Sequence, residues 1–125
     1  MSIIGIGTDI VSVPRIKKLL DLNRERFLDR ILSAEEKKHL PNDALLTHYV
    51  AKRFAAKEAF AKALATGIAD GLSFSQISIL NHDNGQPYVV CTGQAKALLG
   101  LKKITTTHIS LSDEADYAVA FVILI

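Results

Sequence analysis

The spacing of apolar positions changes character once along the chain. From Pro14 to Ala65 they recur at helical intervals, and from Phe74 onward they alternate or run in short apolar blocks. Ahead of the helical part, Ile3 to Val11 reads as a strand, with Ile4, Ile6 and Ile10 on one face and Ile3, Gly5, Gly7, Asp9 and Val11 on the other. Two glycines weaken a strand, and their usual meaning is the close approach of a backbone or a ligand. Pro14 opens a first helix, with Arg15, Ile16, Leu19 and Leu20 at helical spacing, and Phe27, Leu28, Ile31 and Leu32 mark a second. Ser33-Ala34-Glu35-Glu36 is a capping box that starts a third at Ala34, and Pro41 ends that segment. A long helix then runs from near Asp43 or Ala44 to Ala65, rich in Ala and free of Pro and Gly until Gly67 stops it.

In the second half, Phe74 to Leu80 and Tyr88 to Cys91 predict two strands joined through Asn81 to Pro87, where Asn84-Gly85 supplies the positive φ angles of a turn. A short helix over Gly93 to Leu99 leads to a second hairpin, Thr105 to Leu111 and Tyr117 to Ile125, turning at Asp113 to Asp116. The last strand is apolar on both faces, which places it centrally in a sheet or under an interface. Helices first and strands afterwards predict an α+β fold, an antiparallel sheet packed against the long central helix, rather than a parallel doubly wound one. The length, 125 residues, suits one domain over 1–125.

Composition narrows the setting. Hydrophobic residues make up 49%, as in a compact globular protein, and no stretch reaches the length of a membrane span. The opening MSIIGIGTDIV lacks the basic region and cleavage site of a secretory leader, and the lone Cys91 cannot form an internal disulfide. Both favour a cytoplasmic location. A net charge of only +2 argues against a general nucleic-acid binder. Its distribution matters more: between Pro14 and Arg30, Arg15, Lys17, Lys18, Arg24, Arg26 and Arg30 face only Asp21, Glu25 and Asp29, a surplus of three positive charges. Such a run is either a solvated helix face or a docking surface for an acidic partner.

The long helix carries the candidate chemistry. Glu58 falls on a face with Ala51, Phe54, Ala55, Ala61, Lys62 and Ala65, a carboxylate among small apolar side chains that calls for a partner. Lys62 at i+4 is one candidate, as an ordinary exposed pair worth ~0.3–0.5 kcal/mol. Arg53 and Lys57 are an i,i+4 pair of like sign and predict an anion between them. The histidines, His39, His48, His82 and His108, have no zinc-ligand spacing. Hard oxygen ligands remain, and Mg²⁺ takes one or two protein carboxylates with water and substrate phosphate. Asp9 on the first strand and Glu58 on the helix would suffice.

The segments IIGIGTDIVSVPRI, KRFAAKEAFAKALATGI, NGQPY and HISLSDEADYAVAFVI, in this order, together resemble the small bacterial holo-(acyl-carrier-protein) synthases, which are phosphopantetheinyl transferases. The resemblance covers nearly the whole chain. It implies transfer of 4'-phosphopantetheine from coenzyme A to a serine of apo acyl carrier protein for fatty-acid synthesis, leaving adenosine 3',5'-bisphosphate. By position, it makes Asp9 and Glu58 the Mg²⁺ ligands and sets Lys62 against the pyrophosphate. Glu58, or a metal-bound water that it orients, is the implied base for the serine proton. Arg53 and Lys57 then have phosphates of coenzyme A as their anion, and Asn84, Gly85 and Pro87 of the NGxP turn form part of the nucleotide pocket. The basic stretch meets the acidic carrier protein through Arg15 first, then Arg24 and Arg26. Members of this family form trimers with active sites between subunits, which would explain the last strand. Many members have Ser-His where this chain has Ser112-Asp113, so contacts at that corner do not transfer. A non-catalytic module docking through its basic first helix would have no use for Asp9 with Glu58.

Overall fold

The computed structural model describes residues 2–125. Its element order is β1 (Gly5–Ser12), α1 (Val13–Leu22), α2 (Arg24–Ile31), α3 (Ala34–Lys37), α4 (Asp43–Ala63), β2 (Ile77–Asn81), β3 (Pro87–Cys91), α5 (Gly93–Leu101), β4 (Thr107–Asp113) and β5 (Tyr117–Leu124). The architecture is α+β with antiparallel pairing throughout: a three-stranded sheet in the order β1-β5-β4 and a two-stranded β2-β3 ribbon. The last strand is central, as its apolar composition requires.

Local chemistry accounts for the element boundaries. Ser12, Asn23, Ser33 and Asn42 cap α1 to α4, each side-chain oxygen accepting a backbone N–H of the first turn. Pro14 is the second residue of α1 rather than the first, because Ser12 takes the capping position. Helix α4 ends at Ala63, two residues earlier than expected, since Ala65 already lies in the left-handed region at φ 62°. Phe74 to Gln76 forms a 3-10 turn instead of the start of a strand. In the β2-β3 turn only Gly85 has a positive φ, 89°: its N–H donates to His82 O across Asp83 and Asn84, so a four-residue turn closes on a left-handed glycine.

Helix α4 is the axis of the molecule. One side packs against β1 and β5, and the others against α1, α2 and β2, so apolar residues surround it rather than forming one stripe. The glycines of β1 make the first of these contacts possible. A Cβ on Gly7 would stand 1.9 Å from Ala59 O, and one on Gly5 would stand 1.9 Å from Ala63 O. What comes close to the glycine face is therefore the backbone of α4. Ala118, Ala120, Val122 and Leu124 of β5 pair with Val11, Asp9, Gly7 and Gly5 and are wholly buried on the same side.

The opposite face of the sheet is apolar and open. Ile6 is 59% exposed, Ile10 62% and Phe121 43%, with Ile4, Tyr117 and Val119 exposed beside them. Ile6 pairs with Ile123 and Ile10 with Val119, so this is one continuous surface. Among the described residues no helix is long and apolar enough to cross a membrane.

Candidate active site

Strand β1 and helix α4 together assemble one cluster. Asp9 lies on the helix-facing side of β1, two residues beyond Gly7, and the close strand-helix packing brings it to α4. Lys62 Nζ donates to Asp9 Oδ1 at 3.0 Å and to Thr8 O at 3.0 Å. Lys62 thus bridges the two elements instead of pairing along the helix with Glu58. Glu58 is half-buried, and its carboxyl is held above the usual carboxylate range, first by burial and next by the nearby Asp9 charge. Lys62, Arg15 and Arg30 pull it the other way. The cluster is therefore two carboxylates with three cations near enough to be felt.

Among the described residues no three His, Cys, Asp or Glu side chains gather as a metal cluster. Asp9 and Glu58 are nevertheless a donor set of the right kind for Mg²⁺: hard oxygens, two in number, with the mutual repulsion a dication would relieve. Cys91 is half-buried, and burial pushes its thiol up to about 11, which makes it an inert packing residue.

The expected partners of Arg53 and Lys57 change. Lys57 is wholly buried and donates to Glu36 Oε1 at 2.5 Å and to Ile31 O at 2.5 Å. The anion that relieves the like-charge pair is Glu36, a residue of the chain itself. Where a phosphate of coenzyme A was expected, the Lys57 ammonium has no exposed surface and spends two of its N–H donors on Glu36 and Ile31 O. Burial pushes Lys57 down to about 8, against the pull of Glu36. Glu36 also accepts from Ser33 N in the capping box and from Ile79 N of β2, and Ser78 Oγ donates to Ser33 Oγ. The capping box was legible in the sequence. That its glutamate turns inward to meet Lys57 was signalled only by the unexplained like-charge pair.

Arg53 lies a turn and a half before Glu58 and on a different side of α4. It is buried, stacks over the Tyr49 ring at 3.6 Å from the centroid, and donates through Nη2 to Asn81 Oδ1 at 2.9 Å. It borders a cavity of about 300 Å³ lined by His39, Tyr49, Leu80, Asn81 and Tyr88. Asn84, Gly85 and Pro87 lie in and beside the β2-β3 turn, which Asn81 Nδ2 joins by donating to Gly85 O at 2.9 Å. The structure thus joins Arg53 to the turn through Asn81, but none of these side chains bonds to Asp9, Glu58 or Lys62.

The basic stretch forms α1 and α2. Arg15 is exposed in the first turn of α1, close enough to bear on Glu58. Arg26 lines an apolar groove of about 460 Å³ with Leu19, Leu22, Phe27 and Arg30. Arg24 is occupied by an exposed ion pair with Asp43 at 3.0 Å, worth little in water. Arg30, which no motif singled out, is placed beside both Glu58 and the groove. Asp113 ends β4 and lines a cavity with Leu45, His48 and Lys52, and the His48 ring reaches Glu114 O at 2.9 Å.

Residues 5–122 match the family model of the 4'-phosphopantetheinyl transferase superfamily. A holo-(acyl-carrier-protein) synthase of Vibrio vulnificus is 48% identical over 123 residues, covering 98% of each chain. The crystal structure of the holo-(acyl-carrier-protein) synthase from Neisseria meningitidis superposes with a TM-score of 0.92 at 42% identity, over 99% of both chains. A Bacillus anthracis holo-(acyl-carrier-protein) synthase solved in complex with CoA (3',5'-ADP) gives 0.82 at 38% identity, over 98% of this chain and 96% of that one.

Proposed function

The chain belongs to the 4'-phosphopantetheinyl transferase superfamily, as an enzyme of the holo-(acyl-carrier-protein) synthase kind, and on that footing we propose that it transfers 4'-phosphopantetheine from coenzyme A to a serine hydroxyl of apo acyl carrier protein. The second product is adenosine 3',5'-bisphosphate. Residues 1–125 act as one transferase domain, in the cytoplasm, in the service of fatty-acid synthesis. The observation that carries this reading is the meeting of Asp9, Glu58 and Lys62 across the β1-α4 contact.

Glu58 takes the serine proton, directly or through a water, and a carboxyl held above its usual range is better matched to that task. The serine oxygen bonds to the phosphorus of the phosphopantetheine phosphate, and the bond from that phosphorus to the bridging oxygen breaks. The charge left on the departing phosphate is met by Lys62, whose exposed ammonium Asp9 holds in place. Mg²⁺, held by the Asp9 and Glu58 carboxylates, would supply charge neutralisation at the pyrophosphate. Arg53 and the turn carrying Asn84, Gly85 and Pro87 bind the nucleotide part, with no direct part for Lys57. Arg15 and Arg30, near Glu58, and Arg26, which shares the groove with Arg30, receive the acidic carrier protein, with Arg24 at the margin.

The open apolar face of the sheet supports assembly into a homotrimer, since a contiguous patch of this kind marks an interface. A site between subunits would need that assembly to bring the Arg53 side of one copy to the Glu58 side of another.

Incubation of the protein with Mg²⁺, coenzyme A and folded apo acyl carrier protein should raise the carrier's mass by one phosphopantetheine. Absence of the shift overturns the reading, as does consumption of coenzyme A without a carrier. Asp9→Ala and Glu58→Ala should each abolish the shift while the protein stays folded, and full activity in both would remove the metal assignment.

A further inference from the structure

Asn81 uses both ends of its amide. Its Oδ1 accepts from Arg53 Nη2 at 2.9 Å, and its Nδ2 donates to Gly85 O at 2.9 Å. The reversed amide would set N–H against N–H and oxygen against oxygen, so the two partners fix its orientation. Asn81 is the last residue of β2 and faces Pro87, which has no N–H to give the ladder. At this end of the ribbon the Asn81 side chain adds a tie to the backbone bonds that close the turn, His82 N to Gln86 O and Gly85 N to His82 O.

The other restraints on Arg53 leave its direction incomplete. Its Nη1 donates to Tyr49 O at a long 3.4 Å. Its Nε stands 3.8 Å from Glu36 Oε2 and is the one buried side-chain polar atom without a hydrogen-bond partner among the described residues. The 2.9 Å bond that Arg53 donates to Asn81 Oδ1 is thus the short one that sets the plane of the guanidinium. With one hydrogen of each η nitrogen engaged, each keeps a second N–H for an anion in the adjoining cavity.

We propose that Asn81 is a positioning residue for the nucleotide part of coenzyme A, holding the Arg53 guanidinium and the Asn84–Pro87 turn in register on the two sides of one amide. This rests on the reading above, in which Arg53 and the turn bind coenzyme A. Without Asn81 the fold persists, but the cation and the turn lose their common reference, so binding of coenzyme A weakens while the chemistry at Glu58 does not.

The test is steady-state kinetics of Asn81→Ala with each substrate varied in turn, together with calorimetric binding of coenzyme A in the absence of a carrier. The expected result is a KM for coenzyme A about tenfold higher, the scale of one charge-assisted hydrogen bond. Calorimetric affinity should fall by the same factor, with kcat and the KM for the carrier within about twofold. Asn81→Asp keeps the shape and the acceptor for Arg53, loses the donor to Gly85, and adds a negative charge; it should weaken coenzyme A binding at least as much, and it covers the case in which the alanine variant fails to fold. Unchanged coenzyme A affinity in the folded variants overturns the proposal, as does a joint fall of kcat, both KM-derived affinities and Tm. If the unmodified protein neither binds coenzyme A nor modifies the carrier, the functional reading itself falls. If it does both and the variants match it, only the role of Asn81 falls.

Discussion

Glu58 sits above the usual carboxylate range because it is half-buried and shares its surroundings with Asp9. The folded protein therefore holds the Glu58 proton to a higher pH than the unfolded chain does. Below the ordinary value near 4.5 both states are protonated; as pH rises through the raised folded value, stability from this group is lost. Tm should accordingly fall across that window, Glu58→Gln should flatten the fall, and Mg²⁺ should raise Tm above it by binding the ionised pair. A Tm profile unchanged by Glu58→Gln would show that burial and the Asp9 charge do not together raise the Glu58 carboxyl. Glu36 is a wholly buried carboxylate that accepts from the Lys57 ammonium and from Ser33 N and Ile79 N. Glu36→Gln strands Lys57 and Arg53 without a counter-charge and should cost about 3–5 kcal/mol in urea unfolding, the cost of breaking a buried pair from one side. A loss under about 1 kcal/mol, the scale of an exposed pair, would contradict the burial.

At the scale of elements, the site depends on how closely β1 lies on α4. That distance is set by missing side chains, at Gly5 and Gly7, against the carbonyls of Ala59 and Ala63. Gly7→Ala puts a methyl group into a backbone oxygen that has no room to yield, and should cost about 3 kcal/mol, at the upper end for overpacking. It should also lower activity in the fraction that stays folded, because Asp9 is two residues away and Lys62 must still reach it. Wild-type activity and stability in this variant would mean that the contact is looser than 1.9 Å implies. The strand reading of the sequence placed Asp9 on the glycine face, yet offered a backbone or a ligand as the thing approached. Only the packed fold identifies it as the helix that carries Glu58.

For the whole molecule, the question is what covers Ile6, Ile10 and Phe121. Phe121→Asp puts a charge in the middle of the open face without touching the core side of β5, where Ala120 and Val122 lie. If the unaltered protein is the proposed trimer, sedimentation of this variant should show monomer, and the mass-shift activity should fall with the trimer if sites form between subunits. A monomeric unaltered protein with full activity would remove that arrangement.

Much of this was legible in the chain because it is written in local chemistry. The capping box opened by Ser33 and the change from helical to alternating spacing after Gly67 act within a few residues of themselves, and the resemblance carried by GTD and RFAAKEA pointed to Asp9 and Glu58. They determined the α+β class, the long helix and the candidate carboxylates. The tertiary structure alone decided that Lys57 answers to Glu36, that Lys62 reaches Asp9 rather than Glu58, and that Asn81 joins Arg53 to the turn. Those partners lie 21, 53 and 28 residues apart, and the sign of a charge says that it needs an opposite without saying which one the packing will bring near.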